Sequence, residues 1–280
     1  MRSPVLLLPA VLSFLAGGCG RSAKPPEPGL RVVSLVPSVT EIVYAVGAEA
    51  SLVGNTTYCD YPEPARHVYK VGDFMNPDIE KIAALRPDIV FLSLPVHRLI
   101  AEKLAEMNVR YYVSQPTTIE GVFSELDSVG CLLGAGDRAD SLVRDMRAKL
   151  DNLPGYPDTP SVYAEISVVP LMAAGAGSFV SSLIARAGGR NVYTDPAQEY
   201  PMVDPEHVVR AAPEVILILH PEADAKEVSE RLGWAQIPAV RDSRVYDHLD
   251  LNVLSRPGPR VVKAVYMLGD MFHSKPAAGD

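Results

Sequence analysis

The stretch Asn76–Leu94, NPDIEKIAALRPDIVFLSL, decides the fold because a second copy of its pattern lies further along the chain, at Met202–Leu219, MVDPEHVVRAAPEVILIL. Glu80 answers to Glu206, Pro87 to Pro213, and a run of apolar, largely β-branched residues follows each proline. Each copy reads as one helix and one strand. Proline lacks an amide hydrogen and restricts the residue before it, so Pro87 and Pro213 close the helices. Ile89-Val90-Phe91-Leu92 and Val215-Ile216-Leu217-Ile218 suit strands covered on both faces. Two matching units predict two similar lobes.

Working outward, strands alternate with helices on both sides, which predicts parallel sheets. In the first half, Arg31–Leu35, Leu52–Gly54, Val68–Val71 and Arg110–Val113 read as strands and Leu99–Met107 as a helix. Ser38 with Glu41 three positions on forms a capping-box pattern opening a helix over Val39–Val46, stopped by Gly47. In the second half, Val162–Ile166 and Val245-Tyr246 read as strands, and Pro170–Gly177 as a loop of small residues. Phe179–Ala187 and Pro259–Phe272 read as helices. Between the halves, residues 117–153 show helical spacing alone. Gly134–Ala139 satisfies GxGxxA but follows a helical run rather than a strand, so it reads as a helix break with Asp137 near the next N-terminus. The organisation expected is an α/β chain with lobes at 30–116 and 154–275 and a helical segment, 117–153, between them.

Composition narrows the function. With 280 residues, 48% of them hydrophobic, the chain can fill two cores. A net charge of -8 leaves no basic footprint for nucleic acid. Residues 1–18 read as an export signal, with Arg2 ahead of an apolar run, Val5–Ala16, too short to span a bilayer. Leu15-Ala16-Gly17-Gly18-Cys19 resembles a bacterial lipoprotein box, which implies lipidation of Cys19 and attachment to a membrane. Residues 19–29, rich in proline and polar groups, then form a tether. Cys59 and Cys131 could pair in an exported protein, but the plainer reading is two thiols, Cys59 in a loop and Cys131 on an apolar helix face.

Common catalytic signatures are absent: there is no GxSxG, GxxxxGK[ST], HExxH or CxxC. The histidines do not fall at metal-ligand spacings. His97 and His220 each follow a strand of a repeat copy, and strand carboxyl ends face the crevice in such sheets, so both can look into one cleft. A solvated loop histidine is the bland alternative. Tyr58, Phe74, Met172 and Tyr200 occur in loops at the same end of the strands. Together they suggest a wide apolar wall suited to a flat, bulky ligand.

Four segments carry a family resemblance: Arg31–Pro62 (RVVSLVPSVTEIVYAVGAEASLVGNTTYCDYP), Val71–Phe91 (VGDFMNPDIEKIAALRPDIVF), Tyr200–Ile218 (YPMVDPEHVVRAAPEVILI) and Ser255–Val262 (SRPGPRVV). In this order they resemble the helical-backbone class of substrate-binding proteins of ABC importers, which carry cobalamin, ferric siderophores or haem, and most closely the cobalamin binders. The resemblance implies two Rossmann-like βα lobes joined by a long backbone helix, a ligand cleft between them, no catalysis and no resident cofactor. It implies that Tyr58, Phe74, Met172, Tyr200 and Arg256 line the cleft. Phe74 and Tyr200 stand where cobalamin binders have tryptophan, Ser93 replaces another aromatic, and Asn252 replaces an aspartate. Haem and ferric siderophores are the rival ligands, with His97, His220, Tyr58 or Arg256 leading. An α/β enzyme using the same crevice is the rival from another class. Glu80 and Glu206 match paired carboxylates that meet arginines on the two permease subunits; the simple alternative is that each merely suits a helix N-terminus. The expected protein acts as a monomer.

Overall fold

The computed structural model describes residues 29–273. The expected signal at 1–18, Cys19 and the tether up to residue 28 lie outside the described residues. The first lobe runs β1 (Val32–Ser34), α1 (Pro37–Ala45), β2 (Leu52–Asn55), α2 (Ile79–Ala84), β3 (Ile89–Leu92), α3 (Arg98–Glu106) and β4 (Arg110–Val113). Two helices follow, α4 (Ile119–Leu132) and α5 (Gly136–Asp151). The second lobe holds β5 (Ser161–Val168), β6 (Leu171–Ala173), α6 (Phe179–Arg186), β7 (Arg190–Asn191), α7 (Pro205–Ala211) and β8 (Val215–Ile218). It ends with α8 (Ala225–Ser229), α9 (Pro238–Arg241), β9 (Val245–Tyr246), α10 (Leu251–Leu254) and α11 (Val261–His273).

Two separate sheets form, and they share a topology. In the first, parallel strands lie in the order β2-β1-β3-β4. In the second, β7, β5, β8 and β9 run parallel in the matching order, and β6 adds an antiparallel edge to β5. The sequence repeat persists in backbone detail. Asp78 and Asp204 cap α2 and α7, accepting from the amides of Glu80 at 3.0 Å and Glu206 at 2.8 Å. Arg86 and Ala212, each just before a proline, take left-handed conformations with φ of 46° and 45°. The proline ring disfavours right-handed helix at that position, so both copies of the repeat leave the helix the same way.

Strand alternation distributes the core. Val32, Phe91, Val162 and Leu217 face a large central cluster, whereas Val33, Val90, Tyr163 and Ile216 face satellite clusters on the outer side of each sheet. The central cluster passes through α1, α4, α5, α6 and α11 and so belongs to both lobes, with Ile42, Phe123, Met146, Leu183 and Val265 all buried in it. Burial on both faces explains why β3 and β8 are wholly apolar.

The segment 117–153 is helical as expected and breaks where the sequence places the break, into two helices of which α5 is the long one joining the lobes. Ala135 and Gly134 break it, and Asp137 sits in the first turn of α5. The pair is antiparallel: Glu120 meets Arg147 at 2.6 Å, and a Cβ at Gly130 would collide with that of Ala139. Helix α5 spans the lobes, with Arg138 bonded to the Gly47 carbonyl at one end and the Lys149 carbonyl accepting from Tyr266 at the other. Several expectations need correction. The capping box does not form. Pro37 starts α1 without a side-chain cap, Ser38 is buried, and Glu41 is paired elsewhere. Val68–Val71 makes a single bridge, Lys70 to Asn55, rather than a strand. Leu171–Ala173, expected as loop, is β6. Cys59 is buried and Cys131 is exposed rather than on an apolar face; they share no disulfide.

The left-handed residues give a test. A non-glycine residue pays roughly 1–2 kcal/mol there, part of which glycine loses again to unfolded-state entropy. Ala212→Gly is expected to stabilise the protein by about 0.5–1 kcal/mol, read as a higher urea midpoint at unchanged slope.

Candidate functional site

The strands of both sheets deliver their carboxyl ends to the gap between the lobes, and a cavity of about 850 Å³ lies there. From the first lobe it is lined by Val36–Ser38 at the start of α1, Tyr58, Phe74, Met75, Ser93 and Leu94 after β3, and Ser114–Thr117 after β4. The second lobe supplies Phe179, Glu199, Tyr200, Asn252 and Ser255–Pro257. The volume lies in the upper part of the roughly 300–1,000 Å³ range of small-molecule sites. Tyr58 and Met75 remain 54% and 61% exposed at the rim, so much apolar surface is available to a ligand.

Five expected residues therefore come together: Tyr58, Phe74, Tyr200, Asn252 and Arg256. Three do not. Met172 lies on β6, paired with Ser167 and bridged to Met202. His97 is buried behind Phe74. Its Nδ1 accepts from the Ser93 amide at 3.0 Å and its Nε2 donates to the Phe74 carbonyl at 2.7 Å, which fixes the neutral tautomer with the proton on Nε2. The ring also meets Phe74 edge-on at 4.9 Å, and burial lowers the imidazole pKa. His97 thus holds two pieces of cavity wall without touching the cavity. His220 continues the alternation of Ile216 and Ile218 and falls on the outer face of its sheet. There Nε2 meets Glu165 at 3.0 Å and Nδ1 accepts from the Glu222 amide at 3.2 Å. Glu165, fully buried, also holds Arg231 in a two-pronged pair at 2.6 and 2.8 Å and accepts from the Tyr163 hydroxyl.

The charged end of Arg256 is already engaged. It donates to Asp60 at 2.6 Å and to the Tyr58 carbonyl at 3.0 Å, and lies 3.5 Å from Glu41. Glu41 in turn takes both prongs of Arg260, at 2.8 and 2.6 Å, and Arg260 sits 4.4 Å over the Tyr61 ring. Two acids of the first lobe and two arginines of the second therefore bridge the lobes beside the cavity. Burial works to raise the Asp60 pKa, but the Arg256 guanidinium outweighs it and keeps that carboxyl below its usual range. Tyr58 is positioned by this bridge through its own carbonyl.

Some lining residues escaped sequence reading. Leu94, Ser114 and Gln115 directly follow strands, so the carboxyl-end rule alone pointed at them. Phe179 opens α6 just after its cap Ser178 and is carried into the cavity by that helix start. Nothing local marks Met75, Glu199 or Ser255. Glu80 and Glu206 are exposed on the first turns of α2 and α7, in equivalent places on the two lobes.

Two βα lobes with a ligand-sized gap at their strand ends define a binding protein of the periplasmic type. The periplasmic binding protein family matches residues 32–249, and the chain belongs to it. Among relatives, a vitamin B12-binding protein of Vibrio parahaemolyticus is 30% identical over 258 residues, covering 89% of this chain and 91% of that one. The uncharacterized ABC transporter substrate-binding lipoprotein YvrC of Bacillus subtilis is 31% identical over 254 residues, covering 87% and 80%. Two crystal structures are each 26% identical. The periplasmic vitamin B12 binding protein BtuF of Vibrio cholerae superposes with a TM-score of 0.70 over 87% of this chain and 96% of that one. A periplasmic heme binding protein from Pseudomonas aeruginosa gives 0.75 over 88% and 94%. The chain is an ABC transporter substrate-binding protein of this extracytoplasmic class, whose members deliver a ligand to a permease.

One acid behind the cavity wall sets a pH dependence. Glu125 on α4 is buried against Ser114, its Oε2 has no hydrogen-bond partner among the described residues, and burial pushes its pKa from the ordinary 4.5 up to about 7. Between those values the folded protein keeps a proton that the unfolded chain has lost, so stability falls as pH rises. The decline attributable to this group is on the order of 3 kcal/mol, and Glu125→Gln is expected to remove it, as read from urea unfolding at pH 4.5 and pH 8.

Proposed function

We propose that the chain captures cobalamin or a related corrinoid in the interlobe cavity and passes it to an ABC permease while anchored to the membrane through lipidated Cys19. The observation that carries the ligand is the aromatic wall contributed by both lobes, Tyr58 and Phe74 facing Phe179 and Tyr200 across a gap large enough for a flat macrocycle. The relatives that bind vitamin B12 support the same choice. Asn252, Ser255 and Gln115 add neutral hydrogen-bonding groups suited to a ligand edged with amides.

Haem is the second reading, and the Pseudomonas aeruginosa relative favours it. Both buried histidines are committed to hydrogen bonds outside the cavity, so iron ligation would fall to Tyr58 or Tyr200. The full chain titrated calorimetrically with cyanocobalamin, haemin and a ferric siderophore separates these readings. The expected result is cyanocobalamin binding tighter than about micromolar, near 8 kcal/mol, weakened about tenfold by Tyr58→Ala or Phe74→Ala. Preference for haemin with a shifted Soret band would overturn the corrinoid assignment.

Glu80 and Glu206 are read as the two contacts with the permease, one on each capped helix. A symmetric pair of exposed acids at matching positions suits a partner built from two like subunits presenting basic groups. Glu80→Lys combined with Glu206→Lys is expected to leave the ligand Kd within about twofold, because neither residue reaches the cavity, and to abolish uptake by cells. Cys19→Ala serves beside it and should move the chain from the membrane fraction to the soluble one. Normal uptake by the double variant would sink the docking role.

A further inference from the structure

The loop from Asn55 to Ala65 carries Tyr58 to the cavity and Asp60 to Arg256, and it is wrapped around one cation. Lys70 Nζ lies 2.7 Å from Asn55 Oδ1, 3.0 Å from the Ala65 carbonyl, 3.2 Å from that of Thr56 and 3.3 Å from that of Cys59. All four oxygens are uncharged. An ammonium has three protons, so four acceptors share them and enclose the group almost as a coordination shell would. Asn55, fully buried, is held in the required orientation because its Nδ2 donates to the Ala65 carbonyl at 3.0 Å. Apart from Asn55, which closes the cage from β2, the oxygens belong to the main chain of the loop itself. The ammonium therefore ties three main-chain points of the loop to β2.

We propose that Lys70 is a positioning residue for the ligand cleft: its ammonium is an internal monovalent cation that shapes the Tyr58 loop, and a chain lacking it will bind a free alkylammonium in the same cage. The first part rests on the interlobe cavity being the ligand site; the second stands by itself. Desolvation lowers the Lys70 pKa, Asp60 acts against that shift and Arg66 adds to it, as befits a cation drawn into a partly buried shell. The same loop shape presents Asp60 to the second lobe, so the interlobe bridge at Arg256 depends on Lys70 as well.

The loop contains its own reporter. Cys59 Sγ is buried, 3.2 Å from the Thr40 hydroxyl and 3.3 Å from that of Thr56, and opening of the loop exposes it. Iodoacetamide labelling of the full chain, with peptide mapping to separate Cys59 from Cys131, reads this without any ligand. Lys70→Ala is expected to speed labelling of Cys59 at least about tenfold. It removes the atoms of an n-propylammonium ion, so propylammonium chloride is expected to slow labelling again, while equal sodium chloride or propanol does not. Lys70→Met fills the space without charge and should label fast in every case. Wild-type labelling rates in Lys70→Ala, or acceleration indifferent to propylammonium, would overturn the proposal. So would loss of amide-exchange protection in β5 and β8 alongside the loop, since that marks a general prop for the fold. Cyanocobalamin titration of the same proteins should then show weaker binding in Lys70→Ala, restored by propylammonium. If wild type does not bind cyanocobalamin, the ligand reading fails while the labelling result stands.

Discussion

The structure depends on an apolar core that ignores the boundary between its lobes. Helices α1, α4, α5, α6 and α11 bury one continuous cluster that reaches the cavity at Val36 and Phe179. Opening the lobes wide would pull that cluster apart, and each large side chain uncovered costs about 1.5–3 kcal/mol. The two sheets are therefore held at a nearly fixed separation, and the gap at their strand ends exists before any ligand arrives. The close crossing of α4 and α5 at Gly130 and Ala139 tightens the same restraint. The site is built on this scaffold from strand-end loops and from the starts of helices α1, α6 and α10.

At the rim, electrostatics takes over from packing. Glu41 and Asp60 on one lobe, Arg256 and Arg260 on the other, form two-pronged and charge-assisted bonds in a largely buried setting. Such pairs are sensitive to geometry, and removing one partner leaves the other buried without compensation. Their contribution is mainly to fix which way Tyr58 and its loop face. His97 does the same for Phe74 through uncharged hydrogen bonds. The cavity wall is thus supported from behind at both of its first-lobe aromatics.

Much of this was legible in the chain itself. The repeat marks two lobes, the prolines mark the helix ends, and Tyr58, Phe74, Tyr200, Asn252 and Arg256, picked out by loop position and family resemblance, all line the cavity. What sequence spacing missed has physical causes. Strand β6 follows Pro170 and precedes a run of small residues, so its local composition reads as turn; pairing with β5 makes it a strand. The Ser38 and Glu41 pattern is overridden by Pro37, which takes the first helical position and leaves Ser38 inside the first turn, one place too late to cap it. His220 turns away from the cavity because strand alternation continues past the end of β8 and puts it on the face of Ile216 and Ile218. The partnership of Arg256 with Asp60 joins positions 196 apart, a distance no local pattern spans. Lys70 was invisible for the opposite reason: its neighbours are close in sequence, but their carbonyls are common to every residue.

Strand β6 also makes the two halves unequal. Among the described residues the first lobe has no such strand, whereas the capped helices α2 and α7 occupy equivalent places on the two lobes. The cavity walls differ through their loops, with Met75, Ser93 and Gln115 on one side and Glu199, Asn252 and Ser255 on the other, while the outer corners at Glu80 and Glu206 match. A chain built from two like halves is thus uneven where its loops line the gap and even where its helices face outward.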